Sequence, residues 1–317
     1  MRRHLVTGGA GFIGSHLCEA LVEAGDEVVC VDDLSSGSEA NVAHLRASGR
    51  FELIIDDACQ VLAGVGGPFD TVVHLACPAS PADYLAHPLE TLAVGSKGTE
   101  AALRLAQAWA ARFVLASTSE VYGDPLVHPQ TEAYWGNVNP IGPRSVYDEA
   151  KRFSEALTAA YRRTLGTNTG IVRIFNTYGP RLRPGDGRVV SNFIVQALAG
   201  EPLTVYGDGS QTRSLCYVDD LVQGLLAMLR SHVPGPVNLG NPAELTVKDI
   251  ARLVVELTAS SSPISYQPLP EDDPTRRRPD ISKARDVLGW APTVAPEEGL
   301  RRTIKWFAKD RCVASAG

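Results

Sequence analysis

Residues 7–16 read Thr7-Gly8-Gly9-Ala10-Gly11-Phe12-Ile13-Gly14-Ser15-His16, and this stretch of the 317-residue chain decides the fold. Gly8, Gly11 and Gly14 lie between a short apolar run and a segment of helical periodicity. Glycine lets the backbone turn tightly and approach a pyrophosphate, which can accept hydrogen bonds from the free N–H groups of a helix N-terminus. The stretch therefore predicts a strand, a dinucleotide-binding turn and a helix.

A carboxylate at the end of the next predicted strand supports this interpretation. Asp32 lies where an acid would hydrogen-bond the adenosine ribose hydroxyls, and its charge would repel a 2′-phosphate. The sequence therefore predicts NAD rather than NADP. Asp57 follows the third predicted strand. It could hydrogen-bond the adenine amino group, or it could be a solvated acid in a loop. The other cofactor positions predicted in this half of the chain are Phe12, Ile13, Asp33, Leu34, Ser35, Ala58 and Leu75.

The first half of the chain alternates short β-branched runs with longer segments of helical periodicity, which is typical of βαβ units. The predicted strands cover residues 5–7, 27–32, 52–56, 71–75, 112–117 and 168–174. The predicted helices cover residues 13–24, 40–46, 89–110 and 146–165. Right-handed crossovers then give an α/β fold with a Rossmann-like, doubly wound parallel sheet.

From Gly179 onward, prolines and glycines interrupt this rhythm. This pattern predicts a smaller, more irregular α/β lobe on the C-terminal side, which would bind the substrate. Residues 215–229 nevertheless resemble a strand and a helix that return to the first sheet. We expect an NAD-binding domain of residues 1–178, joined by about 214–240, and a substrate lobe of residues 179–213 and 241–317.

Composition argues against several classes of protein. A hydrophobic fraction of 44% is enough for a large core, and a net charge of −6 disfavours a nucleic-acid binder, which usually has a basic face. No apolar run approaches the ~20 residues of a membrane-spanning helix. The scattered cysteines lack a C-x-x-C pair, which predicts reduced thiols in the cytoplasm and no metal site. They are Cys18, Cys30, Cys59, Cys77, Cys216 and Cys312.

Tyr147 and Lys151 are separated by one helical turn and so lie on one face of a predicted helix. A lysine charge and the positive ring of the cofactor would lower the pKa of the tyrosine, which could then accept a proton from a sugar hydroxyl. Lys151 would also hold the nicotinamide ribose. This spacing is common by chance, but together with the glycine turn and Asp32 it predicts a catalytic pair.

Residues 115–123 follow the C-terminal end of a predicted parallel strand, where open α/β sheets build their active sites. Thr118 could hydrogen-bond the reacting hydroxyl, and Glu120 supplies a carboxylate. The alternative for serine and threonine here is turn formation or helix capping.

Several segments together are similar to one enzyme family. They include Asn139-Pro140-Ile141-Gly142-Pro143-Arg144 and Arg173-Ile174-Phe175-Asn176-Thr177-Tyr178-Gly179-Pro180-Arg181, beside residues 7–16, 74–76, 117–124, 147–152, 187–193, 203–213 and 236–242. The chain resembles the extended short-chain dehydrogenases/reductases over residues 5–307. More narrowly, it resembles the UDP-glucuronate decarboxylases, or UDP-xylose synthases.

The resemblance implies a three-step reaction with recycled NAD. Tyr147 would take the proton of the 4-hydroxyl during oxidation, and carbon dioxide would leave the resulting 4-keto uronate. Thr118 and protonated Tyr147 would stabilise the enolate. Glu120 and Arg277 would handle protons and position the ring near carbon 5. Without the resemblance, Arg277 would be one solvated charge in the run 272–280.

The resemblance also implies where the UDP-glucuronate binds and how the chains assemble. Thr177 and Arg188 would contact the nicotinamide half of NAD. Helices 89–110 and 146–165 would pair with those of a second copy in a homodimer. The substrate positions that it implies are Asn176, Val190, Tyr206, Gln211, Arg213 and Arg277.

Three alternatives stay open. A nucleotide-sugar 4,6-dehydratase needs an acid, and its family has an Asp–Glu pair where this chain has Ser119 and Glu120, so decarboxylation is favoured. A 4-epimerase shares the oxidation step, and a scaffold that only senses a dinucleotide would not need Thr118, Tyr147 and Lys151.

Relatives of the resembled family often have lysine in place of Ala93 and asparagine in place of Gly95. If that lysine pairs with the substrate carboxylate, its absence weakens recognition of a uronate, and another basic residue could compensate.

Overall fold

The structure is a computed structural model that describes residues 1–269 and 275–314, the last five of them by their backbone alone. A parallel sheet of seven strands lies at the centre of the described residues. The strands follow the order β11-β6-β5-β4-β1-β2-β3. They are β1 (Arg3–Thr7), β2 (Glu27–Asp32), β3 (Phe51–Ile55), β4 (Thr71–His74), β5 (Arg112–Thr118), β6 (Thr169–Ile174) and β11 (Val237–Leu239).

Helices cover both faces of this sheet because its strands are apolar on both sides. They are α1 (Phe12–Glu23), α2 (Ala58–Val61), α3 (Pro81–Ala86), α4 (Pro88–Ala93), α5 (Thr99–Ala108), α6 (Ser145–Leu165), α7 (Val189–Ala199), α8 (Val218–Arg230), α9 (Val247–Thr258), α10 (Ser282–Leu288) and α11 (Pro296–Ala314). In β1, Val6 packs into the core that contains α1 and α8, whereas Leu5 packs with α5. The predicted doubly wound α/β sheet is confirmed.

Three small sheets are formed by the remaining strands among the described residues. In one of them β9 pairs antiparallel with β12 and parallel with β14. In the other two, β7 pairs with β10 and β8 pairs with β13. The strands are β7 (Thr177–Tyr178), β8 (Leu203–Tyr206), β9 (Thr212–Ser214), β10 (Cys216–Tyr217), β12 (Glu244–Thr246), β13 (Ile264–Gln267) and β14 (Arg276–Arg277).

Two predicted helices are interrupted. The predicted helix 40–46 is a pair of 3₁₀ turns, Glu39–Asn41 and Ala43–Ser48, because the buried Val42 between them has φ −125° and leaves the helical region. The predicted helix 89–110 consists of α4, a π-helical turn at Val94–Gly98, and α5.

The predicted return of residues 215–229 to the first sheet is wrong in one respect. β10 pairs with β7 outside that sheet, because Cys216 and Tyr217 align with Thr177 and Tyr178. The helix that follows, α8, does pack on the large sheet, and the strand that joins the sheet is β11, beside β6.

Candidate active site

A cleft of about 860 Å³ opens at the carboxyl ends of the central strands. The strand connections reverse direction between β1 and β4, and ligands of open α/β sheets bind at such a point. All predicted site residues line this cleft except Leu34. The fold therefore brings together residues predicted from segments far apart in the sequence.

The glycine turn matches the shape that a pyrophosphate requires. A Cβ on Gly14 would lie 2.1 Å from the Gly8 carbonyl oxygen, and one on Gly8 would lie 2.7 Å from the Ala76 nitrogen. Gly11 is the N-cap residue of α1 and offers no capping side chain, so the first turn of α1 presents backbone N–H groups at the cleft. This cradle fits the diphosphate of NAD.

Asp32 both lines the cleft and fixes the loops around it. Its two carboxylate oxygens accept hydrogen bonds from the backbone N–H groups of Ala10, at 2.8 Å, and Leu34, at 2.9 Å. The Leu34 N–H is used in holding Asp32 and the atoms of Leu34 do not line the cleft, so its contact with the cofactor stays a prediction. Asp57 caps α2 through the N–H of Cys59 and still lines the cleft.

Tyr147 and Lys151 occupy the middle of the cleft on the first turns of α6. Lys151 donates a hydrogen bond to the Ala116 carbonyl oxygen at 2.9 Å, and its Nζ lies 5.9 Å from the centroid of the Tyr147 ring. Burial raises the pKa of Tyr147, while Thr118 and Arg188 act in the opposite direction. The protein's own groups therefore do not produce the predicted lowering of this pKa by Lys151.

Two further contacts fix the Tyr147 side chain. The Thr118 hydroxyl lies near enough to the phenol to lower its pKa, against the effect of burial. The ring of Tyr84, on α3, stacks on that of Tyr147 with centroids 5.4 Å apart and planes 4° from parallel. Tyr84 was not predicted from the sequence, where no motif connects α3 to α6.

Glu120 is held between two arginines. Arg277 donates to its Oε1 at 2.8 Å, and Arg144 donates to its Oε2 at 2.7 Å. Burial would raise the pKa of Glu120, but the two guanidinium groups lower it to about 2. Arg277 is 2% exposed and also donates to the Ser119 hydroxyl at 2.9 Å, so it is not a solvated charge. Residues 272–274 of its sequence run lie outside the described residues.

The predicted nucleotide residues line the other end of the cleft. Gln211 donates to the Tyr206 carbonyl oxygen at 2.8 Å, and its own buried side-chain oxygen has no hydrogen-bond partner among the described residues. Arg213 on β9 is the register partner of Arg277 on β14, which connects this end of the cleft to Glu120. Also lining the cleft are Asn176, Thr177, Arg188 and Val190.

Three arginines that line the cleft were not predicted as site residues, namely Arg144, Arg181 and Arg183. Arg144 precedes the Tyr-Lys pair and could have been noticed as a cation one turn before Tyr147. Ala93 also lines the cleft, and six arginines do so, any of which could meet an acidic substrate: Arg144, Arg181, Arg183, Arg188, Arg213 and Arg277.

Two searches of the described residues concern other kinds of site. No group of three or more histidine, cysteine or acidic side chains is arranged there to hold a metal ion. No helix in the described part of the chain has the length and apolar character needed to span a bilayer.

Comparison with known proteins adds the following. The profile of the NAD dependent epimerase/dehydratase family matches residues 4–240. UDP-glucuronic acid decarboxylase 1 of Danio rerio is 52% identical over 309 residues, which are 98% of this chain and 73% of that protein.

Two solved structures share the fold at lower identity. A dTDP-glucose 4,6-dehydratase of Streptomyces venezuelae, solved with NAD bound, is 30% identical with a TM-score of 0.89 over 98% of each chain. UDP-glucuronic acid 4-epimerase of Bacillus cereus, solved with UDP-glucuronic acid and NAD, is 28% identical with a TM-score of 0.87 over 97% of this chain and 99% of that one.

Proposed function

Because the chain belongs to the NAD-dependent epimerase/dehydratase family, we propose that it decarboxylates UDP-glucuronate to UDP-xylose with NAD as a recycled cofactor. Identity to a decarboxylase is 52% over nearly the whole chain, against 28–30% for an epimerase and a dehydratase of the same fold. The fold alone does not separate these reactions, so the choice depends on the side chains of the cleft.

The observation that carries the proposal is the state of Glu120. Loss of water from carbon 6 requires a proton donor beside the sugar, and Glu120 is kept ionised by Arg277 and Arg144. Ser119 accepts a hydrogen bond from Arg277 and is a poor acid. Decarboxylation needs no acid at this point. When carbon dioxide leaves, the electrons of the broken carbon–carbon bond pass into the neighbouring carbonyl group.

In the proposed mechanism, the site residues move protons and hold oxygen atoms. Tyr147 accepts the proton of the 4-hydroxyl as carbon 4 is oxidised, and Lys151, one helical turn away, would hold the nicotinamide ribose. The glycine turn of Gly8, Gly11 and Gly14 would hold the diphosphate of NAD, which would supply the hydride chemistry at carbon 4. The ketone makes the carboxylate on carbon 5 a β-keto acid, whose carbon dioxide leaves as an enolate forms, and a proton from solvent then replaces it on carbon 5. Thr118 and protonated Tyr147 hydrogen-bond the enolate oxygen.

The experiment is incubation of the protein with UDP-glucuronate and catalytic NAD⁺, followed by mass spectrometry. Loss of carbon dioxide without net NADH supports decarboxylation, and the Tyr147→Phe variant should abolish it. An unchanged mass with a changed configuration at carbon 4 by NMR would instead identify a 4-epimerase. Loss of water from dTDP-glucose would identify a 4,6-dehydratase.

The assembly that we propose is a homodimer formed through α4, α5 and α6. Large apolar side chains are exposed on α4 and α6, although globular monomers usually cover such surfaces. Leu89 is 74% exposed, Leu92 is 41% exposed and Phe153 is 50% exposed. Pairing with the same helices of a second copy would cover them.

We also propose a cytoplasmic location and a two-part organisation of the chain. The cysteines with described side chains are all free thiols, which suits a reducing compartment. The presence of β11 in the large sheet supports an NAD-binding domain of residues 1–178 joined by about 214–240. The small sheets of β8, β9, β12, β13 and β14 support a substrate lobe of residues 179–213 and 241–317.

A further inference from the structure

A buried acid lies beside the reaction site and has no role in the mechanism above. Asp148 follows Tyr147 on α6, is 5% exposed, and does not line the cleft. Its Oδ1 is buried without a hydrogen-bond partner among the described residues. Carboxylate oxygens in protein interiors are nearly always hydrogen-bonded, so an orphaned one requires an explanation.

Asp148 lies beside the residues that hold Glu120. Arg144 is the N-cap residue of α6, and its carbonyl oxygen accepts a hydrogen bond from the Asp148 N–H at 3.2 Å. The charges of Arg144, Arg277 and Glu120 all act on Asp148. We name these four residues the acid–arginine cluster. The charge of the cluster depends on whether Asp148 carries a proton.

Among the described residues, further charged groups lie on α6 and on elements packed against it. The Ser119–Tyr122 turn contributes Glu120, and β14 contributes Arg277. On α6 itself, the partly exposed Glu149 pairs with Arg152 at 3.4 Å. Titratable or charged side chains on α3, α4 and the π-helical turn, which pack against α6, are Asp83, Tyr84, Glu90 and Lys97.

We propose that Asp148 is a positioning residue that controls, through its proton, how strongly Arg144 and Arg277 attract the carboxylate of the substrate. The inference rests on the proposed function, because the carboxylate is that of UDP-glucuronate. In this chain Ala93 brings no charge to the cleft, whereas Arg144 and Arg277 are cations that line it beside Glu120. Carbon 5 is bonded to carbon 4, whose hydroxyl meets Tyr147, and this places the carboxylate near the Glu120 end of the cleft.

The electrostatics of the cluster agree with this role. Burial, and then the negative charge of Glu120, raise the pKa of Asp148 to about 7, against the influence of Arg144 and Arg277. Ionisation of Asp148 makes the cluster more negative by one unit. Below this pKa the arginines are therefore less neutralised, and a carboxylate binds more strongly. Above it, Asp148 and the substrate compete for the same guanidinium charges.

The test is calorimetric titration of the protein saturated with NADH, which cannot accept a hydride and so prevents turnover. UDP-glucuronate and UDP-glucose are titrated at pH 6 and pH 8. For the wild type, the Kd of UDP-glucuronate should rise by about three- to tenfold between the two pH values, and that of UDP-glucose should not. Asp148→Asn, which stays neutral, should remove the rise and keep the tight binding at pH 8. Glu149→Gln removes an exposed charge from the same helix and should keep the rise.

A second readout needs no variant. Because a bound carboxylate favours protonated Asp148, binding of UDP-glucuronate near pH 7 should take up a fraction of a proton, measured as a dependence of the binding heat on the buffer. UDP-glucose should take up none. Equal pH ratios in wild type and Asp148→Asn, or no proton uptake, would overturn the inference. If UDP-glucuronate is not decarboxylated in the mass-spectrometric assay, the proposed function fails instead.

Discussion

Gly14 has the least room for a side chain among the glycines of the NAD-binding turn. A Cβ there would lie 2.1 Å from the Gly8 carbonyl oxygen and 2.7 Å from the Gly9 Cα, and these are backbone atoms that cannot move without opening the turn. Gly14→Ala should therefore weaken NAD binding at least tenfold, measured by fluorescence titration with NADH. Gly64→Ala is the matched control, since a Cβ at Gly64 meets no atom within 4 Å. Equal affinities in the two variants would contradict this account of the turn.

The buried Asp148 predicts a pH-dependent difference in stability. Its pKa is raised to about 7 in the folded protein by burial and by Glu120, whereas an unfolded aspartate titrates near pH ~3.9. Between these values the unfolded chain has lost a proton that the folded protein keeps, so the free energy of unfolding falls as pH rises. Above pH 7 the folded protein has lost this proton as well, and the free energy of unfolding stops falling for this reason.

Asp148→Asn has no proton to lose, so it should gain stability over wild type as pH rises from 4 to 7, with a plateau above. The gain at the plateau should be on the order of 2–4 kcal/mol, measured by thermal unfolding in buffers across this range. A difference that does not change with pH would mean that Asp148 is ionised throughout. Glu149→Gln controls for the removal of a negative charge from the same helix.

Sequence motifs found those site residues that belong to a local pattern. Tyr147 and Lys151 are one helical turn apart, and Asp32 ends a strand, so spacing alone locates them. Tyr84 and Asp148 act through contacts with other segments, and such contacts exist only after folding. The ionised state of Glu120 depends in the same way on Arg277, which reaches it from the other end of the chain.

Among secondary-structure elements, six of the seven strands of the central sheet were predicted within about one or two residues, whereas β11 was not predicted. The interruption of the helix predicted at 89–110 was not foreseen, because its apolar periodicity continues across the π-helical turn Val94–Gly98. The turn is explained by a tertiary contact. Gly95 packs against Ala150 of α6, and the Gly95 carbonyl oxygen accepts a hydrogen bond from Ser154 at 2.6 Å. No local pattern reveals that contact.

The contact between this turn and α6 gives a prediction for the element. A Cβ on Gly95 would lie 2.7 Å from the Ala150 Cβ and 3.1 Å from its carbonyl oxygen, so Gly95→Ala should push α6 away. Overpacking of this kind costs about 1–3 kcal/mol, measurable by chemical denaturation. Because α6 carries Tyr147 and Lys151, kcat should fall as well. Gly98→Ala, whose Cβ would first meet a Val94 methyl group at 3.0 Å, should be milder, and an equal effect would contradict the argument.

At the scale of the whole molecule, the doubly wound parallel sheet could be predicted from the alternation of strands and helices. The way in which the second half of the chain closes the cleft could not be predicted from that alternation. Arg213 and Arg277 become neighbours through the pairing of β9 with β14, and both strands are too short to predict from periodicity. The cleft therefore depends on an assembly of short segments that sequence patterns do not define.

The exposed apolar face of α4 and α6 gives the last prediction. Leu89 and Phe153 are 74% and 50% exposed, so a second copy that covers them would contribute hydrophobic stabilisation on association. The wild type should scatter light at micromolar concentration with twice the 33.9 kDa mass of the chain. The double variant Leu89→Glu, Phe153→Glu should place charges in the interface and scatter as a monomer. Ile55→Glu, at a side chain of 51% exposure on the edge strand β3, is the control and should stay dimeric. A wild type that scatters as a single chain would contradict the homodimer, and these apolar side chains would then require another partner.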